Sequence, residues 1–93
     1  MLYDLECRYD TRASFYGKAK VEDIYNDGSV LTLYSYGTLV GQITKNKNKT
    51  IYRYMGQYSC TTTRHQKEFF RQNGLCDKEI KELFNKGHLE KEF

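Results

Sequence analysis

The chain predicts an α+β domain, with an antiparallel β-meander of about five strands followed by two C-terminal helices, the first packing on the sheet. Three observations predict it. Residues 1–55 carry runs of period-two alternation, the signature of half-buried strands. Asn26-Asp27-Gly28 is a strong hairpin turn, because Asn and Gly tolerate positive φ. Cys60 to Leu75 spells out the start, body and stop of a helix. All 93 residues fit one domain, with the meander over 1–59 and the helical part over 60–93.

Met1 to Asp10 places Tyr3, Leu5, Cys7 and Tyr9 on one side of a first strand and Asp4, Glu6 and Arg8 on the other. Asp10 to Ser14 is polar and predicts a turn. Phe15 to Ile24 alternates again, with Phe15, Gly17, Ala19 and Val21 on one face. Small Gly17 and Ala19 leave room for a bulky neighbour, and a ring of Phe69 or Phe70 from the helix is the expected one. Ser29 to Tyr36 is apolar on both faces, which suits a central strand. Gly37 turns the chain into Thr38 to Thr44, Lys45 to Lys49 forms an exposed basic tip, and Thr50 to Met55 returns as the fifth strand.

In the first helix Thr63 and Gln66 have the spacing of a capping box, Thr61 and Thr62 are alternative caps, and Gly74 supplies the left-handed residue that closes it. A second helix, Lys78 to Lys86, is capped by Asp77 and stopped by Gly87, with Ile80, Leu83 and Phe84 on one stripe. The charged tail His88 to Phe93 either frays or resumes the helix through Leu89 and Phe93.

Composition narrows function. A net charge of +3 is too small for a strongly basic nucleic-acid binder and has the wrong sign for a DNA mimic. Three cysteines are an odd number, which points to reduced thiols in a cytoplasm. The acidic N-terminus lacks the pattern of a signal peptide, and no window approaches the ~20 apolar residues of a membrane span. The expected location is therefore a cytoplasm, with no membrane partner.

Catalytic signatures are thin. Cys60-x4-His65 resembles half of a zinc site, but the closest cysteines, Cys60 and Cys76, are sixteen positions apart, so neither metal nor cofactor is expected. Cys60 near a helix N-terminus with His65 as base is a conceivable nucleophile pair, yet no carboxylate or oxyanion hole accompanies it. No glycine is followed by the Lys-Ser/Thr of a phosphate loop. The expectation is a protein without enzymatic activity.

Binding chemistry is richer, since nine Tyr and five Phe raise the aromatic share to 15%. Tyr16, Lys18 and Lys20, with the pairs Tyr34–Tyr36 and Tyr52–Tyr54, can share sheet surface, giving rings for bases and ammonium groups for phosphates. The same rings serve as anchors in a protein interface, and the RNP1 pattern is missing. Arg64, Lys67, Glu68 and Arg71 form the polar face of the first helix, where Lys67–Arg71 is a repulsive i,i+4 pair that an anionic partner would relieve. The residues expected to meet a partner are Lys18, Lys20, Tyr34, Tyr36, Tyr52, Arg53, Tyr54, Arg64, Lys67 and Arg71. An edge strand and many exposed rings are compatible with a homodimer.

The segments F-Y-G-K-A-K-V (15–21), L-Y-S-Y-G-T-L-V (33–40) and T-T-T-R-H-Q-K-E-F-F-R-Q-N-G (61–74) resemble a pattern found in short accessory proteins of phages, prophages and plasmids of low-GC Gram-positive bacteria, a family of unknown function. The resemblance covers roughly Phe15 to Leu75 and brings no catalytic residues. It implies a setting in which small proteins block host defence, as anti-CRISPR inhibitors do, by binding a defence protein or ribonucleoprotein effector or its guide RNA. A small RNA- or single-stranded-DNA-binding regulatory protein of the same element is the alternative.

Overall fold

Strand pairing in this chain follows sequence order without a crossover, the simplest way for consecutive hairpins to close a sheet. The computed structural model describes residues 1–10, 15–56 and 59–92. The elements are β1 (Leu2–Asp4), β2 (Ala19–Asp23), β3 (Val30–Ser35), β4 (Thr38–Lys45), β5 (Lys49–Tyr54), α1 (Cys60–Gln72), α2 (Asp77–Lys86) and β6 (His88–Glu92). The sheet order is β1-β2-β3-β4-β5-β6, every neighbouring pair antiparallel. Both helices lie in the connection between β5 and β6, so the α+β architecture is as the sequence predicts, with one strand more.

That extra strand is the tail. Instead of fraying or continuing α2, residues 88–92 pair with β5, setting Arg53 opposite His88 and Tyr52 opposite Leu89. The physical reason is the open edge of β5, whose backbone groups need partners. Gly87, at φ 83°, ends α2 and redirects the chain toward that edge. Phe93 lies outside the described residues.

The N-terminal strand is shorter than expected. Leu5 still donates its N–H to the Ala19 carbonyl at 2.9 Å, but the N–H groups of Arg8, Tyr9 and Asp10 turn to a helix side chain rather than to a ladder. The turn expected over Asp10 to Ser14 falls almost wholly on residues 11–14, outside the described residues. Strand β2 begins only at Ala19, because Tyr16 and Gly17 both take positive φ and form a turn. Gly17 is therefore exposed on that turn and faces no ring.

The small residue beneath the phenylalanines is Gly41. A Cβ at that position would stand 3.2 Å from the tip of Phe70, and Gly41 pairs with Leu33 on one side and Tyr54 on the other. Phe69 and Phe70 are both 0% exposed and lock α1 to the sheet. Burying each such ring is worth about 1.5–3 kcal/mol. Val21, Leu31, Leu33, Val40, Ile43 and Tyr52 complete the sheet's side of the core, and Leu75, Ile80 and Leu83 the helical side.

Capping differs from the sequence reading. Ser59 is the N-cap of α1, its Oγ accepting the Thr62 N–H at 3.2 Å. Thr63 donates instead to the Ser59 carbonyl. Gln66 points into the core, where its Nε2 donates to the carbonyls of Val40 and Gly56, each at 3.0 Å. The register of β3 against β4 shifts here, Leu33 facing Gly41 and Tyr34 facing Leu39, so Val40 is the extra residue of a bulge. A buried side-chain amide on that carbonyl outweighs a solvent-exposed cap. Helix α2 is capped by Cys76, whose N–H goes to Glu79 at 3.0 Å, while Asp77 is the first helical residue. Gly74, at φ 101°, follows α1 as predicted.

Two outcomes follow from this packing. Gly41→Val should cost about 1–3 kcal/mol of stability in urea unfolding, and combined with Phe70→Leu the loss should fall short of the sum of the single losses by roughly 0.5 kcal/mol or more. The Cys76 N–H bond, then the Lys91 ammonium at 3.0 Å, hold the Glu79 carboxyl below its ordinary value, and Glu79 in turn raises Lys91. The Glu79 contribution is complete above the unfolded carboxylate pKa and is lost as pH falls through the depressed one. That of Lys91 is complete below the ordinary lysine value and is lost at alkaline pH. Glu79→Gln should therefore flatten the loss of stability below about pH 5, read by urea midpoints across an acid titration.

Candidate functional site

Placing both helices on one side divides the sheet into a covered and an uncovered face, and period-two alternation decides which side chains reach each. Thr50, Tyr52 and Tyr54 of β5 point under the helices. The Tyr52 ring is 4% exposed, lies edge-on to Phe70 with centroids 6.4 Å apart, and donates its hydroxyl to the Asn73 carbonyl at 3.0 Å. Burial pushes its phenol above the usual range. Tyr54 stacks on Phe84 with centroids 4.3 Å apart. These two expected contact residues are thus core and packing side chains, because the register that hides Leu31 and Ile43 hides their row as well.

Four of the ten come together. Lys18, Lys20, Tyr34 and Tyr36 line one cleft of about 600 Å³ on the uncovered face, with Leu2, Gly17, Glu22 and Gly37. Its volume lies in the range of small-ligand sites, about 300–1,000 Å³. Lys20 stands directly opposite Tyr34 in the ladder. Its ammonium reaches Asp4 at 2.6 Å, but the two side chains are 46% and 61% exposed, so the pair is worth about 1 kcal/mol or less. Tyr34 donates its hydroxyl to Glu22 at 3.2 Å. Burial, then that carboxylate, raises its pKa. Among the described residues Lys18 has no carboxylate within ion-pair distance.

The chain belongs to a family of unknown function, DUF8033. The family's sequence model matches residues 3–86, from within β1 to the end of α2. No curated protein and no solved structure matches the chain. In this DUF8033 chain the match takes in all of the cleft except Leu2, and it leaves out β6.

The other expected residues are dispersed. Arg53 is on the uncovered face beside Ile51, Met55 and His88, three strands from Lys20. Arg64, Lys67 and Arg71 lie on α1, on the helical side. Arg64 pairs with Asp10 at 3.6 Å, and Arg71 pairs with Asp77 and sits over the Tyr9 ring at 5.4 Å. The Asp77 carboxylate on Arg71 offsets the repulsion expected between Lys67 and Arg71. Glu68 is not solvated at all: its Oε1 accepts the N–H groups of Arg8, Tyr9 and Asp10 at 3.0, 2.8 and 2.9 Å, and its Oε2 accepts from Gln72 at 2.7 Å.

His65 and Cys60 do not meet as a pair. Five helical residues apart they point about 140° from one another, with Cys60 exposed and His65 buried. The His65 Nδ1 shares a hydrogen bond with the Ser35 hydroxyl at 2.7 Å, Ser35 bonds Thr62 at 3.0 Å, and Phe15 packs edge-on to the imidazole. The arrangement ties α1 to β3. Among the described residues no three of His, Cys, Asp and Glu gather as metal ligands, and no helix is long and apolar enough to cross a membrane.

Sequence reading missed Leu2, Gly17, Glu22 and Gly37 as cleft residues. The available signal was the repeated Tyr-Gly at 16–17 and 36–37, since each dipeptide forms a left-handed turn at the cleft's rim. Replacing Glu68 by Ala should cost about 1–3 kcal/mol by leaving three part-buried backbone donors without their acceptor. Amide hydrogen exchange should then show Arg8, Tyr9 and Asp10 losing protection ahead of the β3 core.

Proposed function

We propose that the protein is a non-enzymatic binding protein that engages a macromolecular partner through the helix-free face of its sheet. The observation that carries this reading is the convergence of Lys18, Lys20, Tyr34 and Tyr36 on one cleft of that face, with Leu39 exposed in the same row as Lys20 and Tyr34. Tyrosines and long cationic side chains beside exposed aliphatic groups are the composition of an interface core. The burial of His65 and the separation of Cys60 from it support a role without covalent chemistry.

The resemblance to phage and plasmid accessory proteins supplies the finer reading: inhibition of a bacterial defence nuclease, such as a CRISPR-Cas effector, by binding the effector or its guide RNA. A net charge of +3 favours occlusion of a protein or RNA surface over imitation of a duplex. The same cleft also supports the alternative, a small regulatory protein that binds RNA or single-stranded DNA.

The test is target cleavage by an RNA-guided defence nuclease with increasing amounts of the protein. Inhibition is expected, and the double variant Leu39→Asp/Arg53→Glu, altered only on the helix-free face, should need at least about tenfold more protein, as the loss of one hot spot would require. Lys78→Glu on the helical side should inhibit like wild type. Equal loss in both variants, or an inhibitory surface confined to the helices, would refute the assignment of the face.

A further inference from the structure

Two tyrosines in this fold occupy backbone conformations that a bulky side chain rarely adopts. Tyr16 has φ 53° and Tyr36 φ 52°, each followed by a left-handed glycine, Gly17 at 73° and Gly37 at 80°. Asn or Gly fits such a position without strain. Burial does not compensate for it, since Tyr36 is 57% and Tyr16 78% exposed. One side of the Tyr36 ring meets the His65 imidazole, with centroids 5.8 Å apart, and the rest of the ring stays open to solvent.

The two turns are neighbours. The Tyr36 N–H donates to the Lys18 carbonyl at 2.8 Å, and the Lys18 N–H closes the first turn on Phe15 at 3.0 Å. Nothing lies within 4 Å of where a Cβ would be on Gly17 or Gly37, so the rim is open to close backbone approach. Between the turns runs the cleft, with Lys18 at its rim, Lys20 and Tyr34 along it, and Glu22 further in.

We propose that the cleft between the two Tyr-Gly turns is a subsite for a single strand of nucleic acid, with Tyr36 stacking on a base and Lys18 and Lys20 holding flanking phosphates. This rests on the reading of the helix-free face as the binding surface. Glu22 and Asp4 repel phosphates and carboxylates alike, so what favours a nucleic-acid strand over an acidic peptide is the exposed Tyr36 ring beside the lysines, which offers a base a stacking surface, with Glu22 able to accept from an exocyclic amino group. The exposed Lys20–Asp4 pair is readily exchanged for a phosphate. Stacking on a tyrosine asks for an unpaired base, which a duplex does not offer.

Fluorescence anisotropy with labelled ten-nucleotide oligoadenylates, one RNA and one DNA, tests the subsite. Binding of either is expected, weakening about sevenfold between 50 and 200 mM salt for two phosphate contacts on a single strand. Tyr36→Asn, which keeps a residue at home in the left-handed region, should weaken binding about tenfold while leaving the thermal midpoint unchanged or higher. Lys18→Ser, which breaks no ion pair, should roughly halve the salt slope, and Lys78→Glu should change nothing. No binding of either oligonucleotide at about 100 µM protein, a wild-type salt slope in Lys18→Ser, or tighter binding of polyglutamate than of the oligonucleotides would overturn the proposal. Should Tyr36→Asn unfold, Lys18→Ser alone decides. If the oligonucleotides fail while Leu39→Asp/Arg53→Glu still relieves nuclease inhibition, the subsite falls and the binding face stands.

Discussion

Phe70 lying over a glycine is the contact from which the rest of the architecture follows. A side chain at position 41 would hold α1 away from the sheet, and without one the ring descends to the backbone of β4 with Phe69 beside it. Once that helix is seated, α2 packs through Ile80 and Leu83 on the same side, because those residues have no other apolar surface to cover. Every helix is then committed to one face. The opposite face is left bare by the same step that builds the core.

Apolar contact alone would let α1 slide or rotate on the sheet, and a set of buried polar side chains prevents it. Thr62 and His65 meet Ser35 of β3, Gln66 meets the bulged carbonyl of Val40, and Glu68 collects three backbone donors from residues 8–10. Each is a directional bond in a low-dielectric setting, where a misplaced partner costs about 1–3 kcal/mol. The bulge at Val40 and the early end of β1 thus both accommodate helix side chains. At residues 8–10 the backbone leaves its ladder and a helix side chain takes its hydrogen bonds, and at Val40 the bulge lets the Gln66 amide join the Met55 N–H on one carbonyl.

That division explains what the sequence made legible. Strand alternation, the Asn26-Asp27-Gly28 turn, the Phe69–Phe70 anchor and the glycine stops depend on local chemistry, and local chemistry is written in adjacent residues. Glu68 belongs by spacing to the polar face of the helix, where a charge is usually solvated, and only the distant residues 8–10 make it otherwise. Tyr52 and Tyr54 turned inward because β5 is buried by elements that follow it in the chain. The tail carried a faint alternation, His88, Glu90 and Glu92 outward against Leu89 and Lys91, too short to separate from a frayed helix without knowing that β5 had an open edge. Of the candidate site, Lys18, Lys20, Tyr34 and Tyr36 were legible from spacing, but their convergence depends on two Tyr-Gly turns that propensity argues against.

Charge by itself does not single out the bare face. Lys67, Lys78 and Lys81 on the helical side have no carboxylate partner among the described residues, just as Lys18 and Arg53 have none. A cation in water is well solvated and needs no partner, so such residues mark a surface without assigning it a role. The helix-free face differs in what surrounds its cations: the aliphatic side chains of Leu2 and Leu39 are exposed there, in unfavourable contact with water, whereas the exposed Tyr9 ring on the helical side is covered by the Arg71 guanidinium. Coincidence of unhidden apolar groups, an open cleft and a strained aromatic turn is what favours this surface over the helical one. A partner that covers it would gain the hydrophobic term that folding left unused, and the lysines would then set which partner is accepted.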